Sequence, residues 1–119
     1  MKVRALTNED AFYELSFHGD VITATTNKVK KLIGAPNFDD ADPSEKVQRE
    51  WARELEDGTP FTIYDWKEYR VYGDTRTITL HIGARTKDDS AKVVKVLKEL
   101  GFKTDNVYKK FMNVQVQIS

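Results

Sequence analysis

The chain has no cysteine among its 119 residues. That excludes a disulfide framework and a cysteine-ligated zinc site, and it suits a reducing cytosol. An excess charge of either sign is also missing: 19 basic and 19 acidic residues leave a formal net charge of zero. No global field favours DNA, RNA or an anionic membrane, so strong nucleic-acid binding is not expected. No apolar run approaches the roughly 18 residues that span a bilayer. The opening MKVRALTNEDAFYEL has no apolar run behind its early basic residues. Neither a secretion signal nor membrane association is therefore expected, and the expected location is the cytoplasm.

Catalytic signatures are lacking as well. His18 and His81 are the only histidines, and they do not form a pair at ligand spacing. Ser16, Ser44, Ser90 and Ser119 include no nucleophile elbow. The glycines form neither a GxGxxG nor a Walker pattern, so no cofactor is expected. The carboxylates between Ala41 and Asp57 are interleaved with Arg49 and Arg53, which reads as a solvated charged strand face and not a catalytic pair. Binding, without catalysis or metal, is the expected mode of action.

What is present is the material of one domain spanning residues 1–119, with 39% hydrophobic and 11% aromatic residues. Ala11, Tyr13, Leu15 and Phe17 alternate, predicting a strand within 11–22, with a bend at Gly19-Asp20. Thr25 or Thr26 can cap a short helix carrying Val29, Leu32 and Ile33, which Gly34 and Pro36 end. Ala35 to Ser44, with two prolines and three aspartates, reads as a loop. The stretch 46–56 fits either periodicity: Val47, Trp51 and Leu55 form a helical stripe and also share a strand face. Asp57-Gly58 is a hairpin signal, and 59–67 alternates as a strand, so 46–56 is assigned as the first arm of the hairpin.

Ile78, Leu80 and Ile82 alternate with Thr77, Thr79 and His81 in the clearest strand of the chain. A helix follows, capped at Thr86 or Asp88 and carrying Val93, Val94, Val96, Leu97 and Leu100. Gly101-Phe102 predicts a Schellman ending. Met112, Val114, Val116 and Ile118 predict a last strand. The expected fold is α+β, in the order β-α-β-β-β-α-β, with a mainly antiparallel sheet and both helices on one face.

Three places have binding chemistry. TIYDWKEYRVY sets Tyr64, Trp66, Tyr69 and Tyr72 among Lys67 and Arg70; rings stack on bases and cations hold phosphates. The same composition also suits a hairpin with core aromatics, or an oligomer interface. The start of the second helix offers backbone N–H groups beside Arg85, and the start of the first offers them beside Asn27 and Lys28. His81 is an ordinary polar-face residue or a ligand contact.

The segments REWARELEDGTPFTIYDWKEY and LHIGA resemble small phage-encoded proteins with an E-W-x-x-E-x-x-D-G-x-x-x-T-I-Y-D-W-K hairpin and a following W-H-I-G strand. The matching residues are Glu50, Trp51, Glu54, Asp57, Gly58, Thr62, Ile63, Tyr64, Asp65, Trp66 and Lys67, then His81, Ile82 and Gly83, with Leu80 in place of the second Trp. The match covers the middle third of the chain. The architecture is similar to that of phage anti-defence sponges, which sequester the signalling nucleotides of bacterial immune systems such as Thoeris and CBASS. The resemblance implies a cyclic dinucleotide or a cyclic ADP-ribose isomer as ligand, bound without cleavage by a homo-oligomer. A direct inhibitor of a host defence protein, of the anti-CRISPR or anti-restriction type, is the alternative, with the acidic loop of Asp39, Asp40 and Asp42 as its feature. A small nucleotide hydrolase or transferase is a third reading, for which no constellation is visible.

Overall fold

The computed structural model describes residues 1–109 and shows the expected α+β fold. Among the described residues seven strands form one sheet: β1 (Val3–Ala5), β2 (Ser16–Thr25), β3 (Phe38–Asp39), β4 (Arg49–Leu55), β5 (Pro60–Tyr64), β6 (Thr77–Ala84) and β7 (Lys103–Asn106). Their order is β1-β4-β5-β6-β2-β7, with β3 also paired to β4, and every pairing is antiparallel. Helix α1 (Thr26–Ile33) and helix α2 (Lys87–Glu99) cover one face. Among the described residues no helix is long and apolar enough to cross a membrane.

The core lies between that face and the helices. Ile22, Leu80, Ile82, Ile63, Phe61, Trp51 and Leu55 point there from four strands and meet Val29 of α1 and Val93, Val96 and Leu97 of α2. Burying each large apolar side chain contributes about 1.5–3 kcal/mol. The helix ends are specified locally. Thr25 accepts from the Lys28 amide, and Thr86 from the Asp89 amide. At the end of α2 the Gly101 amide donates to the Lys98 carbonyl and the Phe102 amide to the Leu97 carbonyl, the Schellman pattern, with Gly101 at φ +105° and Phe102 buried.

Residues 49–55 are a strand despite their helix-forming composition. As β4 they pair with β5 on one side and with β1 and β3 on the other. Their core-face side chains also close the end of α1. The Trp51 indole N–H donates to the Gly34 carbonyl over 2.9 Å, and Arg53 donates to the carbonyls of Ile33 and Ala35 and to Asn37. These tertiary partners outweigh propensity, which amounts to only about 0.7 kcal/mol per residue.

Two local expectations change. Glu9–Glu14 is a 3₁₀ helix, capped by the Asn8 side chain, so the strand begins only at Ser16. The alternation at 11 and 13 misleads because Ala11 is buried whereas Tyr13 is 85% exposed. The short strands β1, β3 and β7 add to the expected order. Polar β7 finds its place by pairing with β2. The strand expected at 112–118 lies outside the described residues.

Candidate functional site

The sheet face away from the helices carries one continuous row of paired residues. Phe38 on β3 pairs with Glu50 on β4, Glu50 with Tyr64 on β5, Tyr64 with His81 on β6, and His81 with Val21 on β2. Antiparallel partners share a face, so these side chains stand side by side. The next row holds Ala52, Thr62 and Gly83.

His81 is enclosed by rings. Phe17 stacks on it at 4.0 Å with planes 13° apart, Trp66 lies near-parallel at 6.1 Å and 27°, and Tyr64 meets it at 5.4 Å and 65°. Phe17 reaches this position because β2 is irregular between Phe17 and Val21. There Gly19 takes φ +94° and packs so close to the Tyr108 ring that a Cβ would lie 2.5 Å from it. Burial lowers the His81 pKa, so at neutral pH the imidazole acts as an uncharged ring and not as a cation. Burial, followed by the nearby Glu50 charge, raises the Tyr64 hydroxyl to about 12.

A groove of about 310 Å³ runs over this face between Phe12 and Leu15 on one side and Val47 and Trp66 on the other, with Glu50, Thr62, Tyr64 and Gly83 at its base. Gly83 has no room for more: a Cβ would lie 2.5 Å from Thr62 Cγ2. Two further hollows, of about 620 and 290 Å³, adjoin the groove, and Glu50 lines all three. The Glu50 carboxylate accepts from the Thr62 hydroxyl over 3.0 Å, and that hydroxyl also lies 2.9 Å from the Trp51 carbonyl. Burial raises the Glu50 pKa, the Thr62 hydrogen bond partly offsets this, and the Asp65 charge adds to it.

The residues singled out from sequence fall into separate places. Tyr64, Trp66 and His81 come together on the open face, with Trp66 41% exposed. Lys67 stands beside them, its Nζ 5.5 Å from the Trp66 ring centroid. The Lys67 amide donates to the Lys46 carbonyl over 2.8 Å, which places two lysines next to each other; neither has an ion-pair partner among the described residues. Lys67 and Tyr69 take φ of 53° and 50°, the left-handed region that bulky residues seldom occupy. Tyr69 lines the 620 Å³ hollow with Phe38, Lys46, Val47 and Glu50, whereas Arg70 is paired to Glu68 at 2.9 Å.

The two helix starts lie apart from this face, and their groups are engaged. The Asn27 amide donates to the Asp74 carbonyl, and the Lys28 amide to Thr25. The Lys28 ammonium donates to the Gly101 carbonyl at the end of α2. Arg85 faces Asp89 at 3.5 Å. Among the described residues no group of three histidine, aspartate or glutamate side chains is placed to hold a metal ion.

Phe12, Phe17 and Lys46 join the open face without any local signal of binding. Phe17 arrives through the β2–β6 pairing, Phe12 through the 3₁₀ helix that lines the groove, and Lys46 through its backbone bond to Lys67. No family model, no curated protein and no solved structure matches this chain.

Proposed function

We propose that the protein binds a nucleotide on the open sheet face and retains it without cleaving it, acting as a sponge for a cyclic signalling nucleotide. The supporting observation is one arrangement: a groove lined by the rings of Phe12, Tyr64 and Trp66, with Lys46 in the adjoining hollow and Lys67 beside Trp66, neither lysine having an ion-pair partner among the described residues. A planar base stacks on Trp66, worth about 1–3 kcal/mol per base. The two ammonium groups take the phosphates in charge-assisted hydrogen bonds. The sequence resemblance to phage anti-defence proteins supports a role for such binding in immune evasion, with cyclic dinucleotides or cyclic ADP-ribose isomers as the ligand class. Sequestration works by mass action, so it requires tight binding and abundance. Tyr13, Phe38 and Tyr69 rim the hollows beside the groove and suit a homo-oligomer in which a second copy closes the site.

A thermal-shift panel of cyclic dinucleotides and cyclic ADP-ribose isomers tests this reading. At least one should raise the melting temperature, Trp66→Ala should abolish the shift, and the ligand should be recovered intact after denaturation. No shift with any of them at millimolar concentration would sink it.

The same exposed aromatic rim favours a second reading, direct binding to a host defence protein. Tyrosine and phenylalanine are enriched at such interfaces. A stoichiometric host protein retained equally by the parent and by a Lys46→Ala/Lys67→Ala variant would support this reading over the first.

A further inference from the structure

Among the described residues Glu50 is the one acidic side chain that lines the aromatic groove, and it also lines the two adjoining hollows. Its Oε2 lies 3.0 Å from the Thr62 hydroxyl, whose single hydrogen is shared with the Trp51 carbonyl at 2.9 Å, so one weak tie holds the carboxylate on this face. Its Oε1 has no hydrogen-bond partner among the described residues. A carboxylate offers about four acceptor positions and no donor, so most of its capacity is open to whatever enters the groove.

We propose that Glu50 is the specificity-determining residue of this site and selects a guanine base, whose N1–H and N2–H donors it accepts while the ring stacks on Trp66. This inference rests on the nucleotide reading above and narrows it. The chemistry favours guanine in particular. A simple ammonium would satisfy the carboxylate but leave the rings of Phe12, Tyr64 and Trp66 without a planar partner. Adenine would stack equally well, but it presents the N1 lone pair to an acceptor, leaving two acceptors facing each other in a partly dry groove. Guanine alone among the common bases sets two N–H donors side by side on one edge, matching the two oxygens of a carboxylate. Burial already makes the charged carboxylate costly, and paired donors from a ligand restore the hydrogen bonds that water loses there.

The experiment is a calorimetric comparison of cyclic di-GMP and cyclic di-AMP, using the full chain and its Glu50→Gln variant. The parent should bind cyclic di-GMP at least about tenfold more tightly than cyclic di-AMP. Glu50→Gln replaces one acceptor by an N–H2 donor, which matches the acceptor–donor edge of adenine, so it should erase or reverse that preference. Equal binding of the two ligands by the parent, or a preference for cyclic di-AMP, overturns the guanine assignment and leaves nucleotide binding standing. An unchanged guanine preference in a folded Glu50→Gln protein removes Glu50 as its cause. If neither ligand nor any adenine-containing cyclic nucleotide binds at millimolar concentration, the nucleotide reading falls and the guanine assignment with it. Should Glu50→Gln fail to fold by circular dichroism, the parent's ratio of the two affinities decides alone.

Discussion

The Tyr72 hydroxyl donates a 2.6 Å hydrogen bond to the Asp65 carboxylate, which is completely buried just beyond the end of β5. The other Asp65 oxygen accepts from the Gln48 and Arg49 amides at 2.7 and 3.1 Å, and the Arg49 guanidinium lies 4.6 Å from the Tyr72 ring centroid. One carboxylate thus ties the start of β4, the end of β5 and the following loop together. Burial, reinforced by the bond to Asp65, pushes the Tyr72 pKa well above the ordinary range, which keeps the hydroxyl a donor.

Tyr72→Phe should therefore cost about 1–2 kcal/mol, and Asp65→Ala about 3 kcal/mol, because the latter strands two amides and a hydroxyl in the interior. The two losses should be less than additive, since each variant removes the same bond. Urea unfolding of both single variants and the double variant measures the coupling. Full additivity would show that the bond contributes nothing.

Arg53 leads to a second prediction. Its side chain, on a residue only 7% exposed, faces the core side of the sheet and is satisfied by the carbonyls of Ile33, Ala35 and Ala52 and by Asn37, without a carboxylate. Burial lowers its pKa, yet the guanidinium remains charged. It serves as the C-terminal cap of α1, where a cation meets the negative end of the helix dipole. A lysine cannot span those acceptors with one ammonium group. Arg53→Lys should cost about 2–4 kcal/mol. A thermal melt within a degree of the parent would show that the cap is dispensable.

Why some of this was legible and some was not follows from how far each signal reaches. The ends of α2 are set by Thr86, Gly101 and Phe102, a few residues from the helix they punctuate, and the 57–58 turn lies between the strands it joins. Such local chemistry can be read along the chain. The 3₁₀ turn at 9–14 leaves no such mark, because alternation over four residues cannot distinguish a strand from a capped turn packed on a sheet. The open face was only half visible. Tyr64, Trp66 and Lys67 are sequence neighbours, so the chain itself shows them as a group. Glu50, His81 and Phe17 join them only through the β4–β5, β5–β6 and β2–β6 registers. The sequence offers Lys28 at the first helix start, and the structure shows its ammonium donating to the Gly101 carbonyl, 73 positions along the chain. No local pattern announces that contact.

The tight approach of Gly83 to Thr62 yields a compensating pair. Thr62 cannot swing away freely, because its hydroxyl is held by Glu50 and the Trp51 carbonyl. A Cβ on residue 83 would lie 2.5 Å from Thr62 Cγ2, well inside contact distance. Gly83→Ala should thus cost about 1–3 kcal/mol through overpacking. Thr62→Ser removes only the Cγ2 methyl and keeps the hydroxyl, so Gly83→Ala/Thr62→Ser should recover most of the loss. Denaturant midpoints of the two single variants and the pair check this. A pair no more stable than Gly83→Ala alone would locate the strain elsewhere.

The rings around His81 imply a pH dependence whose sign is fixed. Burial among Phe17, Tyr64 and Trp66 holds the imidazole pKa below its ordinary 6.5. On acidification the unfolded chain therefore takes up this proton before the folded one does. The contribution is fully present above about pH 6.5 and is lost as pH falls through the lower folded-state value. Glu50, on the same face, acts in the opposite sense: its raised pKa means that the folded protein binds that proton more readily, which offsets part of the loss at lower pH. His81→Phe keeps a ring against Phe17 and removes the titration. The stability difference between pH 7.5 and pH 5.5, from urea unfolding, should be smaller in His81→Phe than in the parent, with Glu50 unchanged in both. The direct check is the NMR titration of the His81 imidazole, which should have its midpoint below 6.5. A midpoint at or above that value would mean that the rings leave the imidazole open to water, and the pH dependence would then have to originate elsewhere.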